Sequence, residues 1–180
     1  MKQATNQIIC DISDKTFNPS FISSTPEDYR VRKAARGILI NNGKIALLNV
    51  HTKGYHKLPG GGIETGETNE EGFIREILEE TGCNCKIMSS AGVTIEYRDQ
   101  FKLLQISYVF IAEVIGEPGL QKLEQGEIDE GHDLEWLTLE KAADIFAREN
   151  PTVYEDKFIH LRDKSIFEYY KDTILQRISV

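Results

Sequence analysis

The sequence predicts a layered domain of the α/β or α+β class, and three observations carry that expectation. Strand-like runs rich in β-branched and aromatic residues interleave with segments of helical period, as where "RGILINNGKIALLNV" is followed by "NEEGFIREILEET". A chain of 180 residues at 40% hydrophobic content suits one globular domain with a core of its own. Neither an internal repeat nor a low-complexity tract divides it.

Residues 1–30, with Pro19 and Pro26 among many polar residues, read as a lead-in carrying one strand at "NQIICDI". That strand could extend this chain's sheet or a partner's, so a homodimer is one arrangement the sequence admits. Residues 31–180 read as the domain proper, C-terminal helix included. Within it, Asn41, Asn42 and Gly43 separate two apolar runs and suit the positive φ angles of a hairpin. Thr68 with Glu71 forms a capping box and Gly82 follows the last periodic residue, which predicts a helix over about 69–81. "KIMSSAGVTIEYRD" and "FKLLQISYVFIAEVIG" read as strands joined near Asp99 and Gln100. After them come a polar loop, "EPGLQKLEQGEIDEGHD", and a short strand at "LEWLT". Thr138 can cap a helix that stops at Pro151, and "KFIHLRDKSIFEYYKDTILQRI" supplies the last helix.

A formal net charge of -8 argues against a long nucleic acid or an anionic membrane as partner, since both ask for clustered Lys and Arg. Small anions remain accessible through a cation. No apolar run has the length of a secretory signal or a spanning helix, and the expected location is cytoplasmic. Cys10, Cys83 and Cys85 are expected as reduced thiols, because an odd number without framework spacing does not suggest disulfides. Cys83 and Cys85 have no second Cys or His pair at zinc spacing.

The segment "GGGIETGETNEEGFIREILEETGC" concentrates the chemistry. On a helical wheel Phe73, Ile74, Ile77, Leu78 and Thr81 share one face, while Glu76, Glu79 and Glu80 share the other. Close carboxylates repel by roughly a few kcal/mol per pair at an effective dielectric near 20, so a positive counterpart is expected. Hard cations such as Mg²⁺ and Mn²⁺ prefer carboxylate oxygen, and Mg²⁺ commonly bridges carboxylates to substrate phosphates. Gly60, Gly61 and Gly62 would let the backbone approach such a ligand closely.

These residues resemble the Nudix hydrolases, whose box reads G-x5-E-x7-R-E-U-x-E-E-x-G-U with U a bulky apolar residue. Gly61, Glu67, Arg75, Glu76, Ile77, Glu79, Glu80 and Gly82 match it in order, with Cys83 in the final apolar position. Seven strict identities at roughly 1 in 15 each coincide by chance on the order of 10⁻⁸ at a given start. The resemblance implies a Nudix fold, a mixed β-sheet sandwiched between α-helices, and covers about residues 34–148. It further implies Mg²⁺-dependent cleavage of a pyrophosphate in a small nucleotide: a nucleoside triphosphate, ADP-ribose or a nucleotide sugar. Glu76, Glu79 and Glu80 would then be metal ligands, Glu79 and Glu80 catalytic with them, Arg75 and Glu67 a pair holding the loop on the helix, and Gly60 to Gly62 a substrate-binding turn. For the remaining catalytic carboxylate, Glu124, Glu127 and Glu130 are the candidates. Glu130 is chosen because "DEGHDLEW" resembles the segment where mutator-type members carry their loop glutamate, with Glu127 next. A binding-only Nudix module and removal of a 5′ pyrophosphate from RNA are the alternatives. The first would be expected to lack box carboxylates, and the second needs contacts along a polyanion.

Other features are read as structural. His51, Tyr55 and His56 are expected as solvent-facing or structural residues of a loop, Trp136 and Cys83 in the core, and His160, Arg162, Asp163 and Lys164 on the polar face of a helix whose Phe158, Leu161, Ile166 and Tyr169 pack inward. Asn150 lies near where mutator-type members place a purine-reading Asn.

Overall fold

At the centre of the computed structural model, which describes residues 7–25 and 28–174, β2 (Arg30–Asn41) and β3 (Lys44–Val50) form the expected hairpin. Asn42 and Gly43 turn it at φ 49° and 75°. The lead-in supplies β1 (Ile8–Ser13) and one short turn, α1 (Asp14–Phe17). Asn6, Pro26 and the end of the expected last helix, 175–178, lie outside the described residues.

β4 (Tyr55–Lys57) and β5 (Gly60–Gly62) lead into α2 (Asn69–Thr81), and two long strands follow, β6 (Asn84–Arg98) and β7 (Leu103–Ile115). Then come α3 (Gln125–Glu130), β8 (His132–Leu137), α4 (Leu139–Arg148) and α5 (Tyr154–Tyr169). The eight strands among the described residues share one sheet in the order β1-β6-β7-β2-β3-β4, with β5 on β2 and β8 on β3. The sheet is mixed: β2 runs parallel to β7 and β1 parallel to β6, while the other pairs are antiparallel. β1 therefore completes this chain's own sheet.

Each face of the sheet has an apolar cluster, which places the sheet between helices as expected. Phe73 and Ile77 of α2 pack with Ala35, Leu39, Cys83 and Phe110 on one side. Phe146 of α4 and Ile166 and Phe167 of α5 pack with Ile38, Leu47 and Val109 on the other. Full burial of each large side chain contributes about 1.5–3 kcal/mol. Trp136 packs against the first cluster.

Four expectations are corrected. The polar loop contains α3, a helix too short to show a period. Tyr55 and His56 stand in β4 rather than a loop, Tyr55 buried and His56 bonded to Glu149 Oε1 at 2.6 Å; His51 alone is exposed in a turn. On α2, Ile74 and Leu78 are 42% and 37% exposed and Glu80 only 1%, because the helix lies over β2, β5 and β6 and turns Glu80 toward the Gly60 backbone. Finally, His160, Arg162 and Asp163 are not on a solvated face: they are 8%, 2% and 0% exposed, and buried Glu96 on β6 supplies Arg162 with a counter-charge beneath α5.

Candidate active site

Thr68 and Glu71 cap α2 reciprocally: Glu71 N–H donates to Thr68 Oγ1 at 3.2 Å and Thr68 N–H to Glu71 Oε2 at 2.8 Å. This closure sets the phase of the helix, so that Glu76, Glu79 and Glu80 meet the wall of one cleft of about 390 Å³. Gly60, Gly61 and Gly62 of β5 line the same cleft.

The three glycines work on alternating sides of the strand, as the period of a strand requires. A Cβ at Gly61 would fall 2.5 Å from both carboxylate oxygens of Glu76. Side chains at Gly60 and Gly62 would meet Arg36 and Arg32 of β2 instead. Gly60 also needs its φ of 134°, a region closed to residues with side chains, and its N–H donates to Glu80 Oε2 at 2.5 Å.

Arg75 joins the helix to the glycine loop. It donates to Glu67 Oε1 (2.7 Å) and Oε2 (3.1 Å), to the Gly62 carbonyl (2.8 Å), to Glu76 Oε1 (2.9 Å) and to Glu79 Oε2 (3.0 Å). Its bonds hold the Glu67 carboxyl below the usual range and push its own pKa up. Lys57 of β4, which sequence reasoning missed, donates to Glu80 Oε1 at 3.0 Å.

Among the loop acids, Glu124 and Glu127 line the cleft. Glu127, Glu80 and His132 each offer a ligand-type atom, all within 4.8 Å of one another. Glu130 stands apart from that lining and is engaged on both oxygens, by Lys53 at 2.8 Å and by His132 Nε2 at 3.0 Å. Burial works to raise the Glu130 carboxyl, but these two bonds outweigh it and hold it low. Burial and then the neighbouring Glu80 push Glu127 up, and burial pushes Glu76 up despite Arg75. His132 is held low by burial and by Lys57. Asn150 lines a separate cleft with Phe17 and Lys157.

The donor set fits a hard divalent cation: Glu76, Glu79, Glu80 and Glu127 are all oxygen donors lining one cleft, where Arg75 and Lys57 are the cations already bonded to three of them.

The NUDIX domain model matches residues 31–157. Over 103 residues the chain is 41% identical to a protein of Methanocaldococcus jannaschii named ADP-ribose pyrophosphatase, covering 56% of each, so the match spans little more than half of that relative. It is 29% identical over 134 residues to a putative 8-oxo-dGTP diphosphatase of Bacillus subtilis, covering 74% of this chain and 69% of that one. Among solved structures, a NUDIX hydrolase from Nitrosomonas europaea superposes with a TM-score of 0.57 at 17% identity, over 74% of this chain and 89% of that one. With the box at residues 61–83 folded as loop and helix within the matched segment, the chain belongs to the Nudix family.

Proposed function

We propose that this protein hydrolyses the pyrophosphate linkage of a nucleoside diphosphate joined to a further group, with Mg²⁺ as its ion and Mn²⁺ as a substitute. The observation that carries the reading is the meeting of Glu76, Glu79, Glu80 and Glu127 with the open backbone of β5 in one cleft. Nudix hydrolases generally use divalent metals. When bound, such an ion neutralises phosphate charge and lowers the pKa of a coordinated water. Glu76, Glu79 and Glu80 are the residues that would hold it.

Glu127 replaces Glu130 as the loop carboxylate in this reading. It faces the cleft, and its raised affinity for a proton suits a general base that must take one from water. Glu130 keeps Lys53 and His132 in place. Arg75 and Glu67 act as positioning residues, clamping the Gly62 carbonyl and the ligands into one frame. Gly60 to Gly62 leave room for substrate phosphate, and residues 31–180 form the hydrolase domain, with 1–30 adding β1 to its sheet. Free thiols at Cys10, Cys83 and Cys85 support a reducing, cytoplasmic setting.

The names of the relatives direct the test to ADP-ribose and 8-oxo-dGTP, with ordinary nucleoside triphosphates and a UDP-sugar beside them. Hydrolysis is followed by mass spectrometry of the products with Mg²⁺ or Mn²⁺. Metal-dependent release of a nucleoside monophosphate from at least one substrate is expected; ligand-induced thermal shifts without any product would instead mark a binding module.

A further inference from the structure

The half of the cleft away from α2 is basic, lined by Arg32 and Arg36 of β2, Arg98 of β6 and Arg162 of α5. Two of the four are matched by carboxylates. Arg98 donates to Glu96 Oε1 at 2.7 Å and to Glu155 Oε1 at 2.9 Å, and Arg162 to Asp163 Oδ1 at 2.7 Å and to Glu96 Oε2 at 3.3 Å. The other two are not. Arg32 bonds only the neutral Gln105, at 2.9 Å. Arg36 is 4% exposed, its side chain makes no hydrogen bond or ion pair among the described residues, and its Nε is buried without a partner.

Burying a cation without a directly bonded counter-charge is unfavourable, so a guanidinium held this way favours the arrival of an anion. Burial and then the nearby Arg162 bring its pKa down to about 10, and the carboxylates of Asp163 and Glu96, neither bonded to it, offset this only in part. No other basic group of the cleft is free to share the load: Arg75 is engaged by Glu67, Glu76, Glu79 and the Gly62 carbonyl, and Lys57 by Glu80. The vacant pair also stands close to the carboxylates. Arg36 is the register partner of Gly60, whose N–H holds Glu80, and adjacent strands lie about 4.8 Å apart.

We propose that Arg32 and Arg36 form a phosphate subsite and that the substrate ends in a phosphate: a nucleoside triphosphate, or a nucleoside diphosphate joined to a phosphorylated group, in preference to a nucleotide joined to a neutral sugar. Two guanidinium forks suit one phosphate dianion. The choice of substrate rests on the hydrolase reading given above; the anion site itself does not.

Inorganic tripolyphosphate titrated calorimetrically into the full chain in EDTA tests the subsite without metal or turnover. Binding is expected in the wild type, weakened at least about tenfold in both Arg36→Met and Arg32→Gln. The ligand-free Arg36→Met variant should melt at or above the wild-type temperature, whereas a scaffolding arginine would lower it. With substrates, KM for a nucleoside triphosphate should rise about tenfold in each variant while KM for ADP-ribose stays within about twofold. Equal tripolyphosphate affinity in wild type and both variants, or a parallel rise of both KM values, overturns the proposal. Arginine-dependent binding with no hydrolysis of any nucleotide would keep the subsite and sink the hydrolase reading, while hydrolysis unaffected by either substitution would do the reverse.

Discussion

Replacing Gly61 by Ala would put a methyl group where the Glu76 carboxylate now rests. The added carbon lies 2.5 Å from both oxygens, and ordinary contact begins at 3.4 Å, so the carboxylate must withdraw by 3.4 − 2.5, or about 0.9 Å. What yields is the end of a flexible side chain, and the loss of a glycine narrows the unfolded ensemble by about 0.4–1 kcal/mol, which offsets strain. The melting temperature should therefore stay within about 4 °C of wild type, given roughly 2–4 °C per kcal/mol at this size. Turnover should fall on the order of 100-fold, since a misplacement near 1 Å costs about that much. Calorimetric melting and kcat/KM at saturating Mg²⁺, on the best substrate of the panel, read both quantities. A kcat/KM within about threefold of wild type, with the fold intact, would refute the idea that the gap at position 61 seats a ligand. Gly60→Ala gives the contrast: its methyl would run into the Ala35 carbonyl and the Arg36 backbone at a φ of 134°, and stability itself should fail.

Other substitutions probe the carboxylates. Glu79→Gln, at a side chain 37% exposed, should lower turnover at least about 100-fold with little effect on melting, and Glu80→Gln should lower both because its amide would face Lys57; wild-type turnover in both variants excludes them as ligands. Glu127→Gln should depress kcat and flatten the acidic limb of the pH–rate profile, while Glu130→Gln should mainly loosen Lys53 and His132; the opposite result restores Glu130 as the loop carboxylate. In EDTA, Glu76→Gln should melt above wild type near pH 7.5. The folded carboxyl binds its proton more tightly than the unfolded one, whose ordinary value is 4.5, so wild type regains stability as pH falls through the raised folded value, and the gap should close there. A gap that widens on acidification contradicts the sign. Mg²⁺ at about 100 times its Kd should stabilise the wild type by about 2.7 kcal/mol, and an ionic-strength control that shifts the melt equally would count against a bound ion.

Local chemistry made part of this legible in the sequence. The limits of α2 follow from Thr68, Glu71 and Gly82, and the central hairpin from Asn42 and Gly43, because caps and turns depend on residues a few positions apart. The inner surface of β6 was hidden for the opposite reason. In "VTIEYR" either alternating set could face inward, and the buried set is the polar one, Thr94, Glu96 and Arg98, at 0%, 0% and 2% exposure. That choice is made by Arg162, 66 residues from Glu96 in sequence, and no local period encodes such a pairing. Glu127 over Glu130 is similar: both lie in a six-residue helix, and Lys53 and His132, from other strands or turns, decide which one turns away from the cleft.

The bonds of Arg75 bear on the order of events in the life of the chain. Its guanidinium already reaches Glu67, Glu76 and Glu79, so the helix carries an internal counterion before any ion is supplied from outside. An acidic helix with its own counterion does not need a metal ion in order to fold, so the chain could complete its sheet and cap α2 where free divalent ion is scarce. If Glu76 and Glu79 are ligands as proposed, an arriving ion would compete with a tethered arginine for both. On the proposed reading, Arg75 would then help to set the ion concentration at which a loaded form takes over.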